Sequence, residues 1–297
     1  MWMNLEFLLS YAIVKLIFNF SQVGDYAMAS SVGKCALCGK EGALEFEHIP
    51  PRSAFNKRRV REYSIEQLIE ANRLPWEFEG LKYAENQRGS GLYSLCKSCN
   101  ESTGSWYGTA YKIMTTHVIE GIKSLKNRSL EEYSIKIMDV FPARFLKQVI
   151  SLFCSVNCVD LGKSYFENIY FDELRAFVLQ KDAVGLDTGN FKVCMAITKS
   201  DFIRLESITT VCMNDRLITF SDITAYPFQF WLFFDPPAGF EYEGVDITYM
   251  ADFGFFEKGI IEIPFRLLEV NNFFPLDYRT KEEIKAAFSD AKKWAEK

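Results

Sequence analysis

Four cysteines, a carboxylate–histidine pair and an asparagine carry the chemistry in this chain. Cys35 and Cys38 stand in C-A-L-C, Cys96 and Cys99 in C-K-S-C, and Asn100 follows the last sulfur directly. Between the pairs lies E-H-I-P-P-R, with Glu47 and His48 adjacent. Zinc takes four tetrahedral ligands, and thiolates close a structural site. A CxxC turn sets two sulfurs about 3.5–4 Å apart, the separation that Zn–S bonds of about 2.3 Å require. Two such turns from distant segments staple those segments together. Cys35, Cys38, Cys96 and Cys99 are therefore expected to hold one structural zinc ion.

Glu47 and His48 suit different work. A neutral imidazole takes a proton from water near pH 7. Neighbours on a strand point to opposite faces, so Glu47 need not orient His48. It is left to reach a divalent cation, which favours oxygen ligands. Asn100 sits where the second CxxC turn fixes its backbone, and its amide oxygen is a neutral ligand for the same hard cation. Alone, an asparagine after CxxC reads as a helix cap. In combination, Glu47 and Asn100 suit one Mg²⁺ or Mn²⁺ with positions left for water and phosphate, and His48 suits a general base. Downstream, Arg52, Lys57, Arg58, Arg59 and Arg61 form a basic cluster. It is suited to flanking phosphates through guanidinium forks, or else it is a solvated loop. His117, the other histidine, is only partly in step with the apolar positions of its helix and reads as structural.

A frame must position these groups. The 297 residues suggest about two domains. Residues 1–30 form an apolar N-terminal segment, 31–128 a domain with an insertion at 52–95, and 129–297 a C-terminal domain. Hydrophobic content of 48% is ample for a buried core and excludes a disordered chain. The net charge of −5 is uneven: residues 31–128 carry +4 and residues 129–297 carry −8. A local basic surface is enough for phosphate contact. Cys154, Cys158, Cys194 and Cys212 are scattered among apolar neighbours and read as small buried hydrophobes. That usage fits a reducing cytoplasm better than a disulfide framework. Leu5 to Phe20 is apolar, but Glu6, Lys15 and Asn19 interrupt it. It is too short and too charged for a convincing transmembrane helix, and it lacks the basic lead of a signal peptide. Met28, in M-A-S-S, is an alternative start.

Alternation at Leu44–Glu47 predicts a strand, ended by Pro50 and Pro51. Ser64–Leu74 reads as a capped helix, Gln87–Gly91 as a loop, and Asn100–Leu125 as helical but weakened at Gly104 and Gly108. Pro142 starts a helix over Phe141–Val156, and Ser164–Gln180 is another. Strands are expected at Phe191–Ile197, Leu205–Met213, Leu217–Phe220, Pro227–Phe234 and Ile260–Pro264. The aromatic residues Phe228, Phe230, Trp231, Phe233 and Phe234 read as strand core rather than a base-stacking surface. Thr280–Trp294 closes the chain with a helix whose Thr280 and Glu283 form a capping box. Helices followed by a run of strands predict an α+β domain with an antiparallel sheet.

C-x-x-C, then E-H-I-P-P-R, then C-x-x-C-N resembles the HNH endonucleases, the His-Me finger or ββα-metal nucleases. The nearest likeness is to the subgroup whose finger is stapled by four cysteines. The resemblance covers about residues 33–110. It implies a zinc-stapled, treble-clef-like ββα-metal finger, with His48 as general base and the catalytic Mg²⁺ or Mn²⁺ on Glu47 and Asn100. It implies hydrolysis of phosphodiester bonds by in-line attack of water, with DNA the expected partner and RNA the second choice. The chain departs from the family pattern in three places. Gly91 stands where the family's middle asparagine braces the loop, residues 52–95 are a longer insertion than compact members carry, and Glu47 replaces the commoner aspartate. The competing reading is a non-catalytic zinc finger that binds nucleic acid or protein.

Overall fold

The computed structural model describes residues 32–125, 132–158, 165–186, 189–213, 216–239, 244–270 and 278–295. The N-terminal segment and its alternative start lie outside them. Strands β1 (Val32–Lys34) and β2 (Glu41–Ala43) form an antiparallel hairpin around the first CxxC turn. β3 (Glu45–His48) follows. The insertion then supplies β4 (Val60–Glu62), α1 (Ile65–Glu70) and β5 (Ala84–Asn86), with β4 and β5 paired antiparallel. Ser64 caps α1 by accepting from the Gln67 amide at 3.2 Å. β6 (Gly91–Leu95) pairs antiparallel with β3 and runs into the second CxxC turn. Helix α2 (Lys97–Trp106) starts there and breaks at Tyr107, and α3 (Gly108–Ser124) continues beyond it.

The rest of the chain gives β7 (Tyr133–Val140), α4 (Pro142–Val156), α5 (Tyr165–Leu179), β8 (Phe191–Thr198), β9 (Arg204–Met213), β10 (Arg216–Ala225) and β11 (Phe228–Phe234). After these come β12 (Val245–Asp246), a 3₁₀ turn (Thr248–Asp252), β13 (Gly259–Phe265), β14 (Leu267–Leu268) and α6 (Lys281–Ala295). The large sheet has the order β12-β8-β11-β10-β9, antiparallel throughout, and β14 adds a short parallel pairing to β8. This is the expected mixed α+β architecture with antiparallel sheets. The capping box of α6 is present: Glu283 donates its amide to Thr280 Oγ1 at 3.2 Å and accepts the Thr280 amide at 2.8 Å.

Several strands were not expected, β4, β5 and β6 among them, and two further differences bear on the core. β7 pairs with β13 across more than a hundred residues, although no strand was expected at 133–140. β10 runs on to Ala225 rather than stopping at Phe220. Its extra residues Ser221, Asp222 and Thr224 are polar yet buried, which breaks the apolar pattern. Asp222 accepts from Arg204 Nη2 at 2.7 Å, from Gln229 Nε2 at 2.7 Å and from Thr224 Oγ1 at 3.0 Å. A buried charge is tolerated when it is paired and hydrogen-bonded in this way.

One continuous apolar core joins the cysteine hairpin to the large sheet, from Ala36 and Leu37 through Tyr107, Tyr111 and Phe145 to Phe228 and Phe230. α4 lies at its centre, with Phe145, Leu146, Val149 and Phe153 fully buried. The aromatic residues of β11 are all buried, as the core reading expects. Polar ties reinforce the packing. Arg175 Nε donates to the Ala36 carbonyl at 2.8 Å, and Tyr107 Oη donates to the Val178 carbonyl at 2.6 Å. Both anchor the cysteine-bearing segment to α5.

Candidate functional site

The four Sγ atoms of Cys35, Cys38, Cys96 and Cys99 lie within 4.8 Å of one another. Cys38 Sγ and Cys96 Sγ are 3.8 Å apart, close to the edge of about 3.8 Å that tetrahedral Zn–S bonds impose. Local backbone explains the convergence. The Gly39 amide donates to the Cys35 carbonyl at 2.9 Å and the Cys35 amide to the Lys40 carbonyl at 2.9 Å. Closing that turn places Gly39 at φ +71°, a left-handed conformation that glycine adopts freely. The Cys96 amide donates to Cys35 Sγ at 3.3 Å, linking the two turns. Burial and the crowding of the neighbouring sulfurs push the Cys99 thiol well above its ordinary value. A divalent cation reverses that balance by favouring thiolates, and four thiols at this spacing fit zinc. None of the described cysteines is in a disulfide.

β3 sends Glu47 inward and leaves His48 half-exposed on the other face. His48 Nε2 lies 3.1 Å from the Arg88 carbonyl. A carbonyl only accepts, so Nε2 carries the proton and Nδ1 keeps a lone pair in the neutral ring. Burial lowers the His48 pKa, the Arg88 carbonyl raises it, and Arg52 and Arg88 nearby lower it, for a net fall. The neutral, basic form is favoured at neutral pH. Phe46 stands edge-on to the ring at 5.0 Å. The Glu47 carboxyl is buried with no side-chain hydrogen bond or ion pair among the described residues, and desolvation alone pushes its pKa up to about 8. A buried carboxylate without a counter-charge fits the donor chemistry of a divalent cation.

The loop around His48 is braced by a residue that sequence reasoning missed. Buried Asn56 donates through Nδ2 to the Pro50 and Ser90 carbonyls, both at 2.7 Å, and accepts the Ser90 amide at 2.9 Å. It ties the turn after His48 to the loop before β6. Gly91, opposite His48 in the ladder, has no room for a side chain. A Cβ there would collide with the Glu47 carbonyl oxygen and come within 2.9 Å of the Phe46 ring. Bracing is thus done from position 56 and not from 91. The sequence signals for it were faint, since Asn56 sits in a basic stretch without periodicity.

Asn100 lies in the first turn of α2, its amide bonded to the Cys96 carbonyl at 3.0 Å. α2 packs against β3 and β6. The Asn100 side chain meets Glu45 rather than Glu47: Nδ2 donates to Glu45 Oε2 at 3.1 Å. The basic cluster divides. Arg59 and Arg61 lie 3.5 and 4.0 Å from Glu85, and Arg61 also covers the Tyr83 ring. Arg52, Lys57 and Arg58 are exposed, with Arg52 near enough to act on His48. Arg88, also missed, donates to Tyr93 Oη at 3.0 Å on the same side. His117 is on the exposed face of α3, outside the core. Among the described residues no helix is long and apolar enough to cross a membrane. No family model, curated protein or solved structure matches this chain.

Proposed function

We propose that the chain is a metal-dependent HNH-type endonuclease that hydrolyses phosphodiester bonds, with DNA as first substrate. One observation carries the reading. A neutral imidazole with a free Nδ1 stands on one face of β3, and a buried carboxylate without a counter-charge faces the other way. The strand pairing and the cysteine cluster support it, because the four sulfurs join the β1–β2 turn to the start of α2, and β3 pairs with β6, which runs into that start.

In this proposal Cys35, Cys38, Cys96 and Cys99 hold a zinc ion that is scaffold. Glu47 and Asn100 would hold Mg²⁺ or Mn²⁺, which when bound would supply positive charge toward the phosphate. His48 Nδ1 removes a proton from water as the water oxygen bonds to phosphorus. The P–O3′ bond breaks, and the 3′ oxygen leaves as an alcohol after taking a proton from solvent. The Arg88 carbonyl fixes the imidazole tautomer throughout. Arg52 binds a flanking phosphate, and Lys57 and Arg58 extend the same surface.

The test is incubation of the purified chain with supercoiled and linear DNA, plus Mg²⁺ or Mn²⁺, beside His48→Ala. Metal-dependent nicking that His48→Ala abolishes is the expected result. Equal activity in the variant sinks the proposal, and inactivity on every nucleic acid favours a binding finger. A parallel RNA substrate identifies the alternative of RNA cleavage.

A further inference from the structure

We propose that Glu45 is a positioning residue that fixes the Asn100 amide for cation binding, an inference that rests on the function proposed above. An asparagine side chain presents an acceptor oxygen and a donor nitrogen of nearly equal size. Two rotamers related by a flip therefore compete, and only one offers oxygen to a cation. The zinc-bound turn fixes the Asn100 backbone but does nothing to choose between them. Glu45 does. An ionised carboxylate accepts hydrogen bonds and donates none, so the contact of 3.1 Å at Glu45 Oε2 selects Nδ2. The oxygen Oδ1 is thereby turned away from Glu45 and left free as a ligand. The contact also spans 55 residues of chain, from β3 to the first turn of α2. It ties the strand that carries Glu47 to the helix that carries Asn100. Hydrogen-bond partners behind a metal ligand typically change affinity about 10–100-fold when removed.

Mn²⁺ binding to the zinc-loaded chain, followed by electron paramagnetic resonance, reads this role without turnover. Glu45→Ala is expected to weaken Mn²⁺ binding about tenfold with zinc content unchanged. Glu45→Gln keeps an acceptor oxygen for Nδ2 but adds a donor that also accommodates the flipped amide, so its loss is expected to lie between wild type and Glu45→Ala. Because Glu45 acts through Asn100, adding Glu45→Ala to Asn100→Ala is expected to weaken binding no further. Unchanged affinity in Glu45→Ala overturns the inference and leaves the nuclease reading intact. Wild-type affinity in Glu45→Gln overturns it too, since an acceptor-only partner would then not be what orients the amide. Further weakening in the double variant does the same. A wild type that binds no Mn²⁺ overturns the inference and the proposed catalytic cation together.

Discussion

At the scale of single residues, position 91 has no room for a side chain. Placing asparagine there is expected to damage the chain. Gly91→Asn forces a Cβ into the Glu47 carbonyl and the Phe46 ring, and overpacking of this kind costs about 1–3 kcal/mol. Thermal unfolding of the zinc-loaded variant would read the loss directly, and an unchanged Tm would mean that β3 and β6 can separate there. Asn56 gives the complementary case. Asn56→Ala leaves the Ser90 amide and the Pro50 carbonyl without their partner, while the Ser90 carbonyl keeps the Ile49 amide at 3.0 Å. Each buried orphan costs about 1–3 kcal/mol. The expected result is a lower Tm and weaker cleavage with a full zinc complement, measured by metal analysis beside the nicking assay. Glu47 and His48 were legible in sequence because adjacency on a strand already assigns them opposite faces. Asn56, Arg88 and Glu45 were not. Asn56 and Arg88 act through backbone groups that come together only when β3 and β6 pair, and Glu45 meets Asn100 only when β3 packs on α2. No spacing rule reports either event.

Elements differ in how openly the sequence declares them. Helices with strong end signals were legible nearly to the residue: Pro142 opens α4, and the Thr280–Glu283 box opens α6. The pairing of β7 with β13 was hidden by distance along the chain, and the end of β10 by its buried polar residues. Those polar residues make a sharp prediction. Asp222→Ala removes the partner of buried Arg204, whose remaining acid Glu206 sits at 3.7 Å. Breaking a buried pair by deleting one member costs about 3–5 kcal/mol. Denaturant unfolding should show a loss of that size, and one under about 1 kcal/mol would mean that Glu206 takes over. A zinc ion on the four thiols would act at the same scale, joining the β1–β2 hairpin to the start of α2. Stripping it with a chelator is expected to lower Tm and to release one zinc per chain, and readdition to restore both. A chain that holds no zinc and keeps its Tm through chelation would show that the four thiols pack without a metal.

Across the whole molecule, the shared core couples the cysteine-bearing segment to the large sheet, and composition alone could not reveal that coupling. Two tyrosines at the junction test it from opposite directions. Both are buried, and burial pushes both phenols well above their ordinary value. Tyr107 Oη has the Val178 carbonyl at 2.6 Å, whereas Tyr111 Oη has no hydrogen-bond partner among the described residues. Tyr107→Phe is therefore expected to cost about 1 kcal/mol, and Tyr111→Phe to be neutral or stabilising at pH 7. Alkaline pH sharpens the contrast. Burial also pushes Cys154 and Cys194 from 9.0 up to about 12. Each of these acids keeps its proton in the native state at a pH where the unfolded chain has lost it. Native protein then holds more protons than unfolded, so stability falls as pH rises, from about 9 for the thiols and about 10 for the phenols. Lys147 works in the other direction, because burial lowers it from 10.5 to about 8 and stability gains across that window. Its offset is complete by pH 10.5, while the acids continue to act. Tm should change little from pH 8 to 9 and fall steeply above about 10.5, each proton contributing about 1.4 kcal/mol per pH unit. Tyr111→Phe removes one of those protons and should make the fall shallower by that amount. A slope identical to the wild type would mean that Tyr111 ionises as readily folded as unfolded, which its place between Phe145 and Phe228 does not allow.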